Sequence, residues 1–233
     1  MNKTVALVNE WAAFEQHHPD GSIDDFCRHY LAHREHKKEK GPLVGGVVPI
    51  INDGLLLKII GRIHKLNTNY ANLALKGTGV NQIEEFGTLL TIKQEKNPRK
   101  TEVIYANLFE LSSGTDMLAR MKARGLLKEY DDKEDKRSKR IELTAKGEKV
   151  VADCKQRIIM NAKMMVHDMA EDDKELCIQL LKNIEIKFSA LWQKHKNKEF
   201  TEIYQAIMEE EKTNGKKSKE KKDRLQCRQV ISF

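Results

Sequence analysis

The sequence is poor in several residues that mark structural classes. Its 233 residues hold only 4 Pro, 4 Cys and 6% aromatic residues. So little proline and so few aromatic residues argue against an all-β sandwich and a collagen-like chain. The cysteines, Cys27, Cys154, Cys177 and Cys227, are widely scattered. That usage gives no disulfide framework and fits a reducing cytoplasm. No apolar run approaches the roughly 18–20 residues of a membrane-spanning helix, and mean hydropathy is -0.62, so no membrane partner is expected. Met1–Glu15 carries a lone Lys3 and no long apolar stretch, and does not read as a signal peptide. There is no P-loop, no G-x-S-x-G and no H-E-x-x-H. Gly77-Thr78-Gly79 lacks the third glycine and the preceding strand of a dinucleotide site. Neither catalysis nor a cofactor is expected.

What the sequence has is charge and helical periodicity. Charged residues make up 33% and hydrophobic residues 39%, enough for a core, with a formal net charge of +7. A basic balance favours polyanionic partners, weakly when taken alone. Residues 1–48 read as a helical arm, with helices over Val5–Phe14 and Ile23–His36 and a linker from Lys37 to Gly46. Residues 49–98 carry Leu55, Leu56, Ile59, Ile60, Ile63, Leu66, Tyr70 and Leu73 at steps of mostly three and four, the stripe of an amphipathic helix. A second apolar helix over Ile83–Lys93 ends at Asn97-Pro98. Residues 148–212 give two long helices, to about Ala170 and over Asp172–His195, and a short one from Phe200. Residues 213–233 form a lysine-rich tail that reads as disordered.

The informative unit is residues 99–147. A helix over Thr101–Phe109 precedes a turn and a second helix opening at Leu111-Ser112-Ser113-Gly114-Thr115-Asp116. Ser113 and Asp116 have capping-box spacing. Leu118, Met121 and Leu126 are expected inside, with Gly125 as the stop. Two short extended runs then flank a charged tip, the second over Arg140–Leu143, and Thr144 caps the next helix. This order is that of a winged helix-turn-helix, whose second helix reads base edges in the major groove. Ser112, Ser113, Thr115, Asp116 and Arg120 are the outward candidates on that helix. Hydroxyls at a helix N-terminus suit phosphates, and Arg120 suits a guanine edge or a phosphate. Capping is an equally good reading of Ser113 and Asp116.

Gly125-Leu126-Leu127, followed by the run from Asp132 through Asp135-Lys136-Arg137-Ser138-Lys139-Arg140 to Leu143-Thr144-Ala145-Lys146-Gly147, resembles the MarR (multiple antibiotic resistance regulator) family. The wing of that family reads approximately D-x-x-D-[RK]-R, a spacer, then L-T-x-x-G. The resemblance is specific over this stretch and extends by helix order to residues 50–195. It implies a mostly α fold, a winged helix-turn-helix with long N- and C-terminal dimerisation helices and one small β-hairpin wing. It also implies a bacterial transcriptional regulator whose partners are double-stranded DNA, a second copy of itself and a small-molecule or redox effector. Arg137 matches the arginine placed in the minor groove, where negative potential attracts it. Asp135 would orient that guanidinium. Lys136, Lys139 and Arg140 would touch phosphates or groove edges, though alternation along a strand lets only some of them face DNA.

Three further features stand apart. Met160, Met164, Met165 and Met169 cluster in one long helix, where core packing is favoured over a ligand-lining role. Cys154 and Cys177 lie in apolar helical patterns and are expected to be buried and inert. Cys27 lies close to His29, His33 and His36. His29 and His33 share a helix face, but the set matches no strong zinc pattern, so it is a weak metal candidate against the reading of a polar surface arm. A winged-helix protein-interaction module without specific DNA binding is the competing reading, favoured slightly by the near-neutral wing and by Asp116.

Overall fold

The computed structural model describes residues 2–33 and 49–210; the linker expected near Lys37–Gly46, His36, Cys227 and the tail from 213 lie outside them. The chain divides into two compact units, the first ending at Ile59 and the second beginning at Ile60. No helix of the described residues is long and apolar enough to cross a membrane.

In the first unit, α1 (Lys3–His17) and α2 (Ile23–His33) form a hairpin. Asn2 caps α1 by accepting the Thr4 N–H at 2.9 Å. Ser22 and Asp25 cap α2 reciprocally. The Ser22 Oγ accepts the Asp25 N–H at 3.2 Å, and the Asp25 carboxylate accepts the Ser22 N–H at 3.0 Å. Gly21 is required between them, because a Cβ there would lie 2.7 Å from the Phe14 ring.

The second unit begins within α3 (Asn52–Ala74), followed by α4 (Ile83–Glu95), α5 (Lys100–Ala106) and α6 (Leu111–Ala123). Strands β1 (Leu127–Asp131) and β2 (Lys139–Leu143) pair antiparallel, with Leu127 opposite Leu143 and Asp131 opposite Lys139. Then come α7 (Ala145–Met165), α8 (Glu171–His195) and a short α9 over residues 200–210. One core fills the space among α4, α5, α6, the hairpin and α7, with Leu89, Ile92, Ile104, Leu118, Met121, Leu126, Ile141 and Val151 almost fully buried. Each such side chain contributes about 1.5–3 kcal/mol relative to exposure.

Local chemistry fixes how this unit is threaded. Helices α5 and α6 cross closely at Gly114, where a Cβ would meet the Ile104 side chain at 2.7 Å. Gly125, at φ +72°, ends α6. Its N–H bonds to the Lys122 carbonyl at 2.8 Å and the Leu126 N–H to the Met121 carbonyl at 3.1 Å, closing the helix with a left-handed cap. Thr144 caps α7 through the Gly147 N–H at 3.0 Å, and its own hydroxyl donates to the Gly125 carbonyl at 2.7 Å. At Gly147 a Cβ would sit 2.0 Å from the Leu126 carbonyl oxygen. The L-T-x-x-G pattern therefore reflects one cap and one backbone-to-backbone contact.

Several expectations need correction. Ser113 and Asp116 form no capping box. The N-cap of α6 is Glu110, without a side-chain hydrogen bond, and the Ser113 hydroxyl donates to the Glu110 carbonyl at 3.1 Å. Helix α6 starts one turn earlier than that box requires. Cys177 is exposed, although Cys154 is buried and burial pushes its thiol above the usual value. The Met160–Met169 cluster is not in the core: Met160 is 69% and Met164 52% exposed. The reason is common to both: no residue of α8 is buried, and among the described residues nothing covers its apolar face or the exposed Met160 and Met164 of α7.

Candidate nucleic-acid interface

On α6 the inward positions are Gly114, Met117, Leu118 and Met121. The opposite face exposes Ser112, Ser113, Asp116 and Arg120, with Thr115 half-buried. Four of the five outward candidates thus share the open face. The first turn of α6 carries no acidic residue, and the Glu110 side chain at its N-cap makes no capping hydrogen bond.

The helix is held at its C-terminal end. Arg124, at its C-cap, pairs with Glu85 of α4 at 2.6 Å and donates to the Gly79 carbonyl at 3.2 Å. The Glu85 side chain is only 1% exposed, and its other oxygen accepts the Asn81 N–H at 2.7 Å. A buried carboxylate satisfied on both oxygens costs much to disturb, because removing one partner strands a charge.

The wing is organised by a residue that the sequence reading passed over as one of a charge run. Asp132 has a side chain 1% exposed. Its Oδ1 accepts the N–H of Glu134 at 2.8 Å and that of Asp135 at 3.3 Å. Its Oδ2 accepts Arg99 Nε at 3.0 Å and lies 2.7 Å from Arg140 Nε. The two backbone N–H groups at the tip, with the two guanidinium groups, lower the pKa of Asp132 to about 2 against the opposing effect of burial. Arg140 also donates to the Asn97 carbonyl at 2.8 Å. It is therefore engaged inward rather than standing at the groove edge where it was expected. The Ile141 N–H bonds to the Pro98 carbonyl at 3.1 Å, and Arg99 bridges Arg140, so the segment before α5 edges the hairpin.

At the tip, Asp135 accepts the backbone N–H of Arg137 at 3.1 Å. The contact is with the Arg137 main chain, where the sequence suggested its guanidinium. Among the described residues no acidic side chain pairs with Lys136 or Arg137, and both are exposed. Lys139 is exposed but pairs with Asp131. Lys100 and Lys122 both reach Glu129, at 3.2 and 2.7 Å, and the Lys122 bond, then Lys100, holds its carboxyl below the usual range despite burial. A cleft between the start of α5 and the wing is bordered by Arg99, Lys100, Arg137 and Lys139. Arg99 and Asp132 were missed because their pairing spans the whole reading unit. The only local signal was the position of Asp132 ahead of the tip.

The weak metal candidate lies partly outside the described residues. Among the described residues no group of three or more His, Cys, Asp or Glu could hold a metal, and His36 lies outside them. Cys27 is exposed, and His29 and His33 stack on one another at 4.2 Å.

The fold and the open helix-and-wing surface define a winged helix-turn-helix protein. No family model matches the chain, and no curated protein does. Solved structures do match, and their fold is that of the MarR regulators. A MarR variant from E. coli complexed with operator DNA is 20% identical, with TM-score 0.54, over 58% of this chain and 98% of that one. AbsC, a MarR family transcriptional regulator from Streptomyces coelicolor, gives 15% identity and TM-score 0.55 over 60% and 97%. A MarR-like transcription regulator from Bacillus cereus gives 20% and 0.52 over 63% and 99%. These chains match almost end to end, while a large part of this one lies outside the match. The chain therefore has a complete MarR-type winged-helix fold with additional segments.

Proposed function

We propose that the protein is a dimeric, sequence-specific DNA-binding transcriptional regulator acting in the cytoplasm. The observation that carries this reading is the pairing of an open α6 face with a braced wing whose Arg137 has no acidic partner among the described residues. In this reading α6 enters the major groove through Ser112, Ser113, Thr115, Asp116 and Arg120. The wing carries Arg137 into the adjacent minor groove, with Lys136 and Lys139 near phosphates. Asp135 shapes the tip through the Arg137 main chain, and Arg140 serves the wing from behind.

The dimer is supported by the uncovered apolar residues of α3, α7 and α8, among them Leu66, Ile159, Leu181, Ile184 and Trp192. Large apolar side chains left open along three long helices are the mark of an interaction surface. Two copies would read half-sites roughly 34 Å apart on a pseudopalindromic operator. A small-molecule or redox effector would act by binding two dimer spacings with different affinity.

Selection from a random duplex pool, read by anisotropy at two salt concentrations, tests the proposal. An inverted repeat should be enriched, binding should weaken steeply with salt, and Arg137→Ala should lose the preference. The acidic side chains on the wing and Asp116 on α6 favour one competitor, a protein-interaction module. In that case no duplex is enriched at low salt and Arg137→Ala changes nothing.

A further inference from the structure

The densest set of titratable side chains outside the reading unit lies in the α1–α2 hairpin. Its buried residues are Phe14 and Phe26 alone, and Trp11 packs edge-on against Phe26 with ring centroids 5.1 Å apart. Imidazoles crowd around this small aromatic floor. His29 stacks on His33 at 4.2 Å, lies 5.6 Å from His18, and sits 5.2 Å from the Phe14 ring. His18 stacks on Phe14 at 4.7 Å. The Nδ1 of His17 lies 3.0 Å from the Ala13 carbonyl and that of His33 2.9 Å from the His29 carbonyl. A neutral ring that donates there keeps its Nε2 as the basic nitrogen. The other charged groups of the hairpin are Lys3, Glu10 and Glu15 on α1, Asp20 in the turn, and Asp24, Asp25 and Arg28 on α2. Asp25 is engaged by Ser22 and by Arg28 at 3.8 Å. Among the described residues no carboxylate forms an ion pair with any of these four imidazoles.

We propose that the hairpin is a proton-responsive element, closed while its histidines are neutral and opened when His29 and a stacked neighbour become charged. Two charged rings in a 4.2 Å stack repel, and a two-helix unit with two buried residues has little packing to resist them. Burial first, then the positive charge of His33, His18 and His17, holds His29 below its ordinary 6.5. The open hairpin therefore takes up protons at higher pH than the closed one. Closure is fully favoured above 6.5 and is lost progressively as pH falls below it. This inference stands apart from the reading of the DNA interface.

The test uses the full chain with Trp192→Phe, so that Trp11 alone reports, titrated from about pH 8 to about pH 5 across the imidazole range. Trp11 emission should shift reversibly to the red. Adding His29→Phe, which keeps a ring in the stack but cannot be charged, should abolish the shift. Should that variant already be open at the starting pH, His33→Gln gives the second measurement: removing the charged neighbour should raise the His29 ring titration toward 6.5 by NMR. Three results overturn the proposal: unchanged Trp11 emission across the titration, Trp11 already solvated at the starting pH, or a His29 titration indifferent to His33→Gln.

Discussion

Helices α6 and α8 are both amphipathic, and among the described residues only α6 has its apolar face covered. The thirteen residues of α6 bury Gly114, Met117, Leu118 and Met121 against α5 and the hairpin. The twenty-five residues of α8 bury none, although they include Leu181, Ile184, Phe188 and Trp192. An apolar stripe states that a helix will be covered. It does not state by what. The winged helix-turn-helix unit has its core within the described residues, whereas α8 leaves its apolar stripe open.

The largest effect that would break this contrast is in the core. Leu118→Ala should cost about 2–5 kcal/mol in urea unfolding, because a fully buried side chain leaves a cavity. A Leu181→Asp, Ile184→Asp pair should instead leave the reading unit folded by NMR. It should weaken the proposed dimer by roughly 2 kcal/mol or more, read by analytical ultracentrifugation. If both sets destabilise the monomer equally, the comparison fails. Arg137→Ala should reduce operator affinity by about tenfold without altering the melting temperature. Thr144→Ala removes the α7 cap and should cost about 1 kcal/mol.

A further effect concerns pH. Asp132 is held at about 2, below its ordinary 3.8, so its contribution to stability is present in full above 3.8 and lost as pH falls toward 2. In Asp132→Asn the wing should keep its shape less well, and this acid-dependent part of the loss should disappear from a pH series of melting curves.

The reading unit was legible because its instructions are local. Gly125 and Thr144 answer to a turn and a cap within a few residues, and Gly147, which meets Leu126 across the hairpin, is tied by spacing to the Thr144 cap. The brace behind the wing was not legible, because Arg99 and Asp132 meet only after α5 and α6 have packed. Cys177 and Met160 were placed inside for a related reason: periodicity reports an apolar face but not whether its cover belongs to the same chain. The α6 cap was misread because Ser113 and Asp116 have the right spacing one turn too late. For Asp135 and Arg140 the sequence placed the residues in the wing but could not say which atoms they engage.

The four donors gathered on Asp132 also bear on how tightly a nucleic acid could be held. A loop that must be immobilised on contact gives up part of its binding free energy to that ordering. Here the tip backbone is fixed before any ligand arrives, by the N–H groups of Glu134 and Asp135 and by two arginines from outside the tip. The freedom left to lose is mainly that of the Arg137 side chain itself. Loosening the brace should therefore weaken binding through entropy, with every contacting side chain still in place.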